Sequence, residues 1–265
     1  MGVLNVTPDS FYDKGKFFDL KRAVRHALDM DRDGADIIDV GGESTRPGAM
    51  DISPDEELRR VIPVIRAISK RVKAAISIDT RKSRVADQAL KAGACIVNDV
   101  SALRFDPKMP DVVARHRAFI ILMHMKGTPK SMQINPVYGD VVKDIIKSLK
   151  ASISLAERSG IKKNKIIIDP GIGFGKTVRH NLEILRRLKS FKELGYSLCI
   201  GTSRKSFIGK ILGSEDPEDR LIGSLATAAI AAANGADIVR VHDVGLTRQV
   251  VRMVDNITGI DNRLT

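Results

Sequence analysis

Eight short, mostly β-branched runs recur along the chain, separated by helical patterns, and each delivers a polar or charged residue at its C-terminal end. The runs are residues 3–6, 37–40, 75–78, 96–100, 119–123, 166–168, 198–200 and 238–241. Most are nearly all apolar, as parallel strands covered on both faces should be. Between them, Leu20, Ala23, Val24, Ala27 and Leu28 form one helical stripe, and Val142, Ile145, Ile146, Leu149, Ile153 and Ala156 form another. Pro63, inside the helical segment 58–68, predicts a kink. Gly34-Ala-Asp-Ile, Gly93-Ala-Cys-Ile and Gly235-Ala-Asp-Ile each close a helix and open a strand, with Gly160-Ile and Gly195-Tyr as weaker echoes. Glycine accepts the left-handed conformation that ends a helix, so these are structural turns.

At or just past the opposite ends stand Asn5, Asp39, Asp79, Asn98, His124, Asp169, Ser203 and Arg240. Eight such repeats closed as a (β/α)8 (TIM) barrel bring these residues to one face, where barrels of this kind build active sites. An open doubly wound sheet would not gather all eight into one mouth. The 265 residues fit one barrel, which typically takes about 250. The expectation is therefore an α/β chain, a single barrel domain over 1–265, with its site at the C-terminal ends of the strands.

No apolar run approaches the roughly 18 residues of a membrane span. The N-terminus lacks the basic and apolar regions of a secretory signal, and Met1-Gly2 reads as strand entry rather than as an acylation signal. Cys95 and Cys199 lie far apart, without the spacing of a disulfide framework or zinc site, so the cytoplasm is the expected compartment. A net charge of +12 favours anionic partners. Aromatics are only 4% and the basic residues scatter along helices (Lys21, Arg22, Lys147, Lys150, Arg186, Arg187), which favours phosphorylated small molecules over nucleic acid.

The mouth residues fall into two sets. Asp79, Asn98 and Asp169 offer acceptors and an amide that suit a flat heterocycle with paired N–H groups. They could equally be buried salt bridges to Lys205 or Arg204, or an acid/base pair. Arg46, Arg204, Lys205, Arg240 and His242 form a cationic set in loops 2, 7 and 8, suited to phosphate oxygens. A solvated rim is the bland alternative. The stretch Asp169-Pro-Gly-Ile-Gly-Phe-Gly-Lys-Thr177 mimics a nucleotide-binding P-loop, but three residues rather than four separate Gly171 from Gly175. Gly171 and Gly173 are expected to let backbone approach a ligand beside Asp169. His124 is a plausible mouth residue, His26 a solvated one, and His116 and His180 lack metal-ligand spacing.

These residues occur in stretches that resemble the dihydropteroate synthase family. They are Gly2-Val-Leu-Asn-Val-Thr-Pro-Asp-Ser-Phe11, Asp36-Ile-Ile-Asp-Val-Gly-Gly-Glu-Ser-Thr-Arg-Pro-Gly48, Ser77-Ile-Asp-Thr-Arg-Lys82 and Val97-Asn-Asp-Val-Ser101. Leu122-Met-His-Met125, Asp169-Pro-Gly-Ile-Gly-Phe-Gly175, Ser203-Arg-Lys-Ser-Phe207 and Arg240-Val-His-Asp243 follow in the family's order.

The resemblance implies condensation of 6-hydroxymethyl-7,8-dihydropterin diphosphate with 4-aminobenzoate in an SN1-like reaction. By that likeness Asp79, Asn98, Asp169 and Lys205 hold the pterin, with Met123 against its ring. Asn5 ligates Mg²⁺, while Arg46, Arg240 and His242 hold the diphosphate. Thr45, Pro47, Phe174, Lys205 and Ser206 frame the aminobenzoate, in the pocket that sulfonamides occupy in the family, and Gly201 completes the substrate-binding set. Lys205, Arg240, His242, Asp79 and Asp169 are the implied catalytic group. Loops 7–18 and 42–50 are expected to close over the mouth.

A homodimer is also implied, as is a leader over the barrel floor upstream of the first strand. Tyr12-Asp-Lys-Gly-Lys and Thr202 depart from the family's commonest choices. A methyltetrahydrofolate-binding methyltransferase is the alternative of the same barrel type, but it lacks the Ser-Thr-Arg-Pro and Ser-Arg-Lys stretches. A basic nucleic-acid binder and a pterin-binding barrel without catalysis are the others.

Overall fold

A computed structural model describes residues 1–7, 12–13, 17–18, 20–44, 49–127, 132 and 136–259. Eight parallel strands follow one another in chain order: β1 Gly2–Asn5, β2 Ile37–Gly41, β3 Ala75–Asp79, β4 Ile96–Asp99, β5 Phe119–Met123, β6 Ile166–Asp169, β7 Ser197–Ile200 and β8 Ile238–Val239. The sheet closes where Gly2 bridges Val241, with Val3 N donating to Val241 O at 3.0 Å. A two-residue hairpin, Tyr12–Asp13 against Phe17–Phe18, lies in the first βα connection.

Ten α-helices accompany the strands among the described residues. They are α1 Leu20–Arg32, α2 Pro54–Ile68, α3 Ser83–Ala92, α4 Met109–His116, α5 Val141–Arg158, α6 Val178–Arg186, α7 Lys189–Lys192, α8 Ser206–Leu212, α9 Leu221–Ala233 and α10 Val244–Thr258. Local chemistry sets their ends. Ser53 Oγ accepts from Glu56 N at the start of α2, Asp140 caps α5, and Thr177 and His180 form a reciprocal box on α6. His180 is thus a cap. α2 runs unbroken through Pro63. Pro63 is exposed, so water can serve the carbonyl that its missing N–H leaves unbonded. Gly34, Gly93, Gly160, Gly195 and Gly235 all have positive φ at the predicted helix-to-strand turns.

Side chains alternate across a strand, and this parity builds both the core and the mouth. One parity (Leu4, Ile38, Val40, Ile76, Ile78, Val97, Ile120, Leu122, Ile168, Leu198, Ile200) belongs to the large cluster shared with the helices. The other starts apolar, with Met1, Ile96, Ile121, Ile167 and Cys199 forming a separate cluster inside the barrel near its floor. Two residues beyond Ile96 and Ile167 the same parity turns polar, at Asn98 and Asp169, because those positions reach the mouth.

Candidate active site

Continuing the inward parity from Ile37, Ala75 and Ile96 gives Asp39, Asp79 and Asn98 (from Ala75 by way of Ser77). The same steps from Ile167, Ile121, Cys199 and Ile238 give Asp169, Met123, Gly201 and Arg240. All eight strands thus contribute inward, with Asn5 at the end of β1. Asp39 is fully buried at the centre of this group. Its Oδ2 accepts from Asn98 Nδ2 at 2.9 Å and from Arg240 Nε at 2.7 Å, while Oδ1 has no partner. Arg240 Nη2 reaches Asp79 Oδ2 at 2.9 Å. One guanidinium therefore bridges two carboxylates.

The electrostatics follow from that geometry. Burial, reinforced by the negative charge of Asp39, pushes the Asp79 carboxyl up to about 8. Burial opposes the charge on Arg240, but Asp39 and Asp79 outweigh it and hold its pKa above the ordinary value. Burial also raises Asp169, partly offset by Lys205 and by the N–H of Gly171, which donates to Asp169 Oδ1 at 2.7 Å.

Lys205 precedes α8, donates Nζ to the Ile172 carbonyl, and lies 4.6 Å from the Phe174 ring centroid. Burial pushes its ammonium down to about 8. Met123 packs with Val100, Met125 and Met132, and Phe174 leans against that cluster. Ser206 opens α8 and is exposed. His242 Nδ1 lies 3.0 Å from Ser203 Oγ, tying loop 8 to loop 7. A Cβ on Gly201 would stand 3.6 Å from Arg240 Cβ, so the glycine leaves room along that side chain. Asn5 is half-buried. Thr45, Arg46 and Pro47 lie outside the described residues, as do residues 8–11 and 14–16 of the first loop and residue 48 of the second.

Two expectations need correction. Arg204 is not a mouth cation. Its backbone turns left-handed (φ 57°), and the side chain makes a double contact with Asp243, at 2.8 and 3.1 Å, and a further one with Glu218. Salt bridges do form among the acidic set, but through Arg240 rather than through Arg204 or Lys205. Gly171 and Gly173 also make room for neighbouring protein. A Cβ on Gly171 would fall 1.9 Å from the His124 carbonyl, and one on Gly173 would fall 2.9 Å from Lys205 Cδ.

The sequence reading also missed two features. Asp39 was seen at a strand end but not as the hub, although its inward parity with Ile37 was the available signal. Lys176 is buried and donates to His124 Nδ1 at 3.1 Å and to the Phe174 carbonyl at 2.9 Å. No sequence signal distinguishes such a lysine from a solvated one. His116, by contrast, simply pairs with Asp87 at 2.8 Å.

A family model described as pterin binding enzyme matches residues 1–242. A dihydropteroate synthase of Synechocystis is 49% identical over 96% of this chain and 88% of its own length. The solved dihydropteroate synthase of Xanthomonas albilineans with 4-aminobenzoic acid superposes with a TM-score of 0.92 at 43% identity, over 98% of this chain and 93% of that one. The Yersinia pestis dihydropteroate synthase in a sulfonamide complex gives 0.92 at 43%, over 97% and 93%. These likenesses favour the synthase reading over the methyltransferase one.

Proposed function

Because the chain belongs to the dihydropteroate synthase family of pterin-binding enzymes, we propose how its own residues divide the work of that reaction. The reaction condenses 6-hydroxymethyl-7,8-dihydropterin diphosphate with 4-aminobenzoate to give 7,8-dihydropteroate and diphosphate. The observation that carries the assignment is the Asp39–Arg240–Asp79 bridge with Asn98 beside it. Asp79, Asn98 and Asp169 pair with the polar edge of the pterin, and Met123 packs on its ring. A fixed arrangement of this kind pairs a heterocycle's N–H groups without reorganisation at the moment of reaction.

The C–O bond to the diphosphate breaks first, its electron pair leaving with the diphosphate. Arg46, Arg240 and His242 hold the diphosphate and, with Lys205, stabilise the charge that gathers on the leaving group. The amine lone pair of 4-aminobenzoate then bonds to the pterin methylene, and the amine gives up a proton. Phe174, Ser206 and Lys205, with Thr45 and Pro47, frame the second substrate. No serine or cysteine nucleophile is needed.

The donor chemistry fits Mg²⁺. Asn5 Oδ1 lies 3.8 Å from the point where a Cβ would stand on Gly41, so a hard oxygen donor stands beside that glycine at the mouth. Among the described residues no group of three or more His, Cys, Asp and Glu could hold a metal. A cation on Asn5 would therefore complete its shell with diphosphate oxygens and water, and it would supply charge neutralisation to the leaving group.

We also assign a homodimer. Ile222 on α9 and Leu246, Met253 and Ile257 on α10 are exposed, the last three at helical spacing, and such an apolar face suits a second copy of the chain. Sedimentation of Met253→Glu should show monomer where the wild type shows dimer; a monomeric wild type removes the assignment. No described helix is long and apolar enough to cross a membrane. A cytoplasmic location rests on the two unpaired cysteines.

The deciding experiment measures diphosphate release from dihydropterin diphosphate with Mg²⁺, with and without 4-aminobenzoate. Stoichiometric dihydropteroate, abolished in Lys205→Ala, is expected. Pterin binding without product would leave the pocket but overturn the activity.

A further inference from the structure

A second group of buried charges stands at the mouth end of the barrel, apart from the pterin-facing cluster. Lys82, 7% exposed, donates Nζ to Glu57 Oε2 at 2.6 Å and to Glu43 Oε1 at 2.8 Å. Glu43 Oε1 also accepts from Ile52 N at 3.0 Å. Arg81 reaches Glu43 at 3.4 Å and Asp51 at 2.5 Å, while its guanidinium lies 4.2 Å from the Phe105 ring centroid. Arg60 Nη1 donates to the Gly42 carbonyl at 2.9 Å.

The connectivity gives this group its meaning. Gly42 and Glu43 are the last turn of chain before residues 44–50, and Asp51 and Ile52 are the first after it. Both flanks are tied to Arg81 and Lys82, which lie two and three residues beyond Asp79 on the same connection. The segment's two feet are thus fixed against each other and against the strand end that presents Asp79.

Stability alone is a weak reason for such an arrangement. Buried charges are costly to desolvate, and apolar replacements of buried ion pairs are often as stable or more so. Glu57 even keeps one carboxylate oxygen, Oε1, without a hydrogen-bond partner.

We propose that Glu43, gripped by Lys82 and Arg81, is a positioning residue for the second substrate. It fixes the feet of the segment that carries Thr45, Arg46 and Pro47 in sequence, relative to the pterin site at Asp79. The proposal rests on the assignment of those three residues to 4-aminobenzoate and diphosphate. It makes Glu43, Arg81 and Lys82 a device for aligning two substrates bound by different loops.

Two variants of the full-length chain test it. Glu43→Gln keeps an acceptor for Ile52 N but gives up the charge held by Lys82 and Arg81. Asp51→Asn removes an ion-pair partner that is 53% exposed, so it strands no buried carboxylate. Asp55→Asn, which breaks the exposed Arg84–Asp55 pair, is the control.

For Glu43→Gln, kcat/KM for 4-aminobenzoate should fall on the order of tenfold or more, mainly through KM, because small misplacements of positioning groups are costly. Affinity for the dihydropterin alcohol, which lacks the diphosphate assigned to Arg46, should be unchanged. Asp51→Asn should shift in the same direction by less, and Glu43→Asp should recover part of the loss. Amide hydrogen exchange over residues 44–50 should quicken in Glu43→Gln while β3 keeps its protection. An unchanged aminobenzoate KM overturns the proposal, as does a parallel loss for both substrates that tracks thermal stability. The exchange measurement needs no turnover, so it decides the clamp even if the wild type forms no product; that absence would instead sink the activity.

Discussion

Arg240 at the end of the last strand meets Asp79 at the end of the third, Nη2 to Oδ2 at 2.9 Å, inside the barrel mouth. The same guanidinium holds the fully buried Asp39 through Nε. Before any substrate binds, the pocket meant for a neutral heterocycle therefore carries its own counter-ion. Two acids and one base can share this space because one acid keeps a proton. That is why Asp79 titrates near 8 while Arg240 stays charged.

Removing that counter-ion should be costly. Arg240→Met leaves Asp39 and Asp79 facing each other without a cation, and breaking a buried pair by deleting one partner costs about 3 to 5 kcal/mol. Chemical denaturation should show a loss of that order, together with loss of turnover. An Arg240→Met protein as stable as the wild type would mean that the bridge contributes nothing to the folded state.

Pterin binding should release a proton. Asp79 holds one up to about pH 8, and pairing its carboxylate with pterin N–H groups favours the ionised form. Affinity for the pterin should therefore rise with pH and level off above about 8, with calorimetric heats that depend on the buffer's ionisation enthalpy. In the free protein the sign is opposite for stability. Folding retains a proton that the unfolded chain loses near 3.8, so this group's contribution declines as pH climbs from about 4 to 8. Asp79→Asn should abolish both dependences. Asp39→Asn, which removes a charge that raises Asp79, should move the midpoint to lower pH. A buffer-independent binding heat in the wild type would count against a protonated Asp79.

Gly173 gives a steric test of Lys205. The glycine sits at φ +84°, and a Cβ there would lie 2.9 Å from Lys205 Cδ. Gly173→Ala should cost about 1 to 2 kcal/mol from the left-handed backbone alone, a fall of a few degrees in Tm for a chain of this size. It should also push the lysine from the Ile172 carbonyl and lower kcat. Full activity in a destabilised Gly173→Ala would mean that the lysine's position tolerates the shift.

Much of this site could be read from strand parity. The step from Ile96 to Asn98, like that from Ala75 through Ser77 to Asp79, already states which side chains point inward and at which height polarity begins. The closure that brings Arg240 to Asp39 is less legible, because it links positions 201 residues apart and depends on where the last strand meets the first. Arg204 misled for a local reason. Its neighbours Ser203 and Lys205 point to the site, but a left-handed φ turns the arginine toward Asp243. The clamp at Glu43 and Lys82 needed the tertiary fold, since a solvated lysine and a buried one look the same in sequence.

Lys176 supplies the last test, because every acceptor its Nζ meets is neutral: His124 Nδ1, the His124 carbonyl and the Phe174 carbonyl. Burial drives its pKa well below the ordinary 10.5, and burial together with the nearby lysine takes His124 down to about 2. His124 is therefore neutral at physiological pH. The unfolded chain holds a proton on this lysine up to about 10.5 and the folded chain releases it at lower pH, so its contribution to stability grows with pH and levels off there. Lys205 adds a gain of the same sign above about 8, so the comparison has to be made between variants. Lys176→Met should be at least as stable as the wild type at pH 7 and should gain less between pH 7 and 10. With its donor gone, the Phe174 carbonyl is released and the KM for 4-aminobenzoate should rise. Identical pH–stability curves for the two proteins would show that burial does not lower the pKa of Lys176, and an unchanged KM would show that it does not hold Phe174 in place.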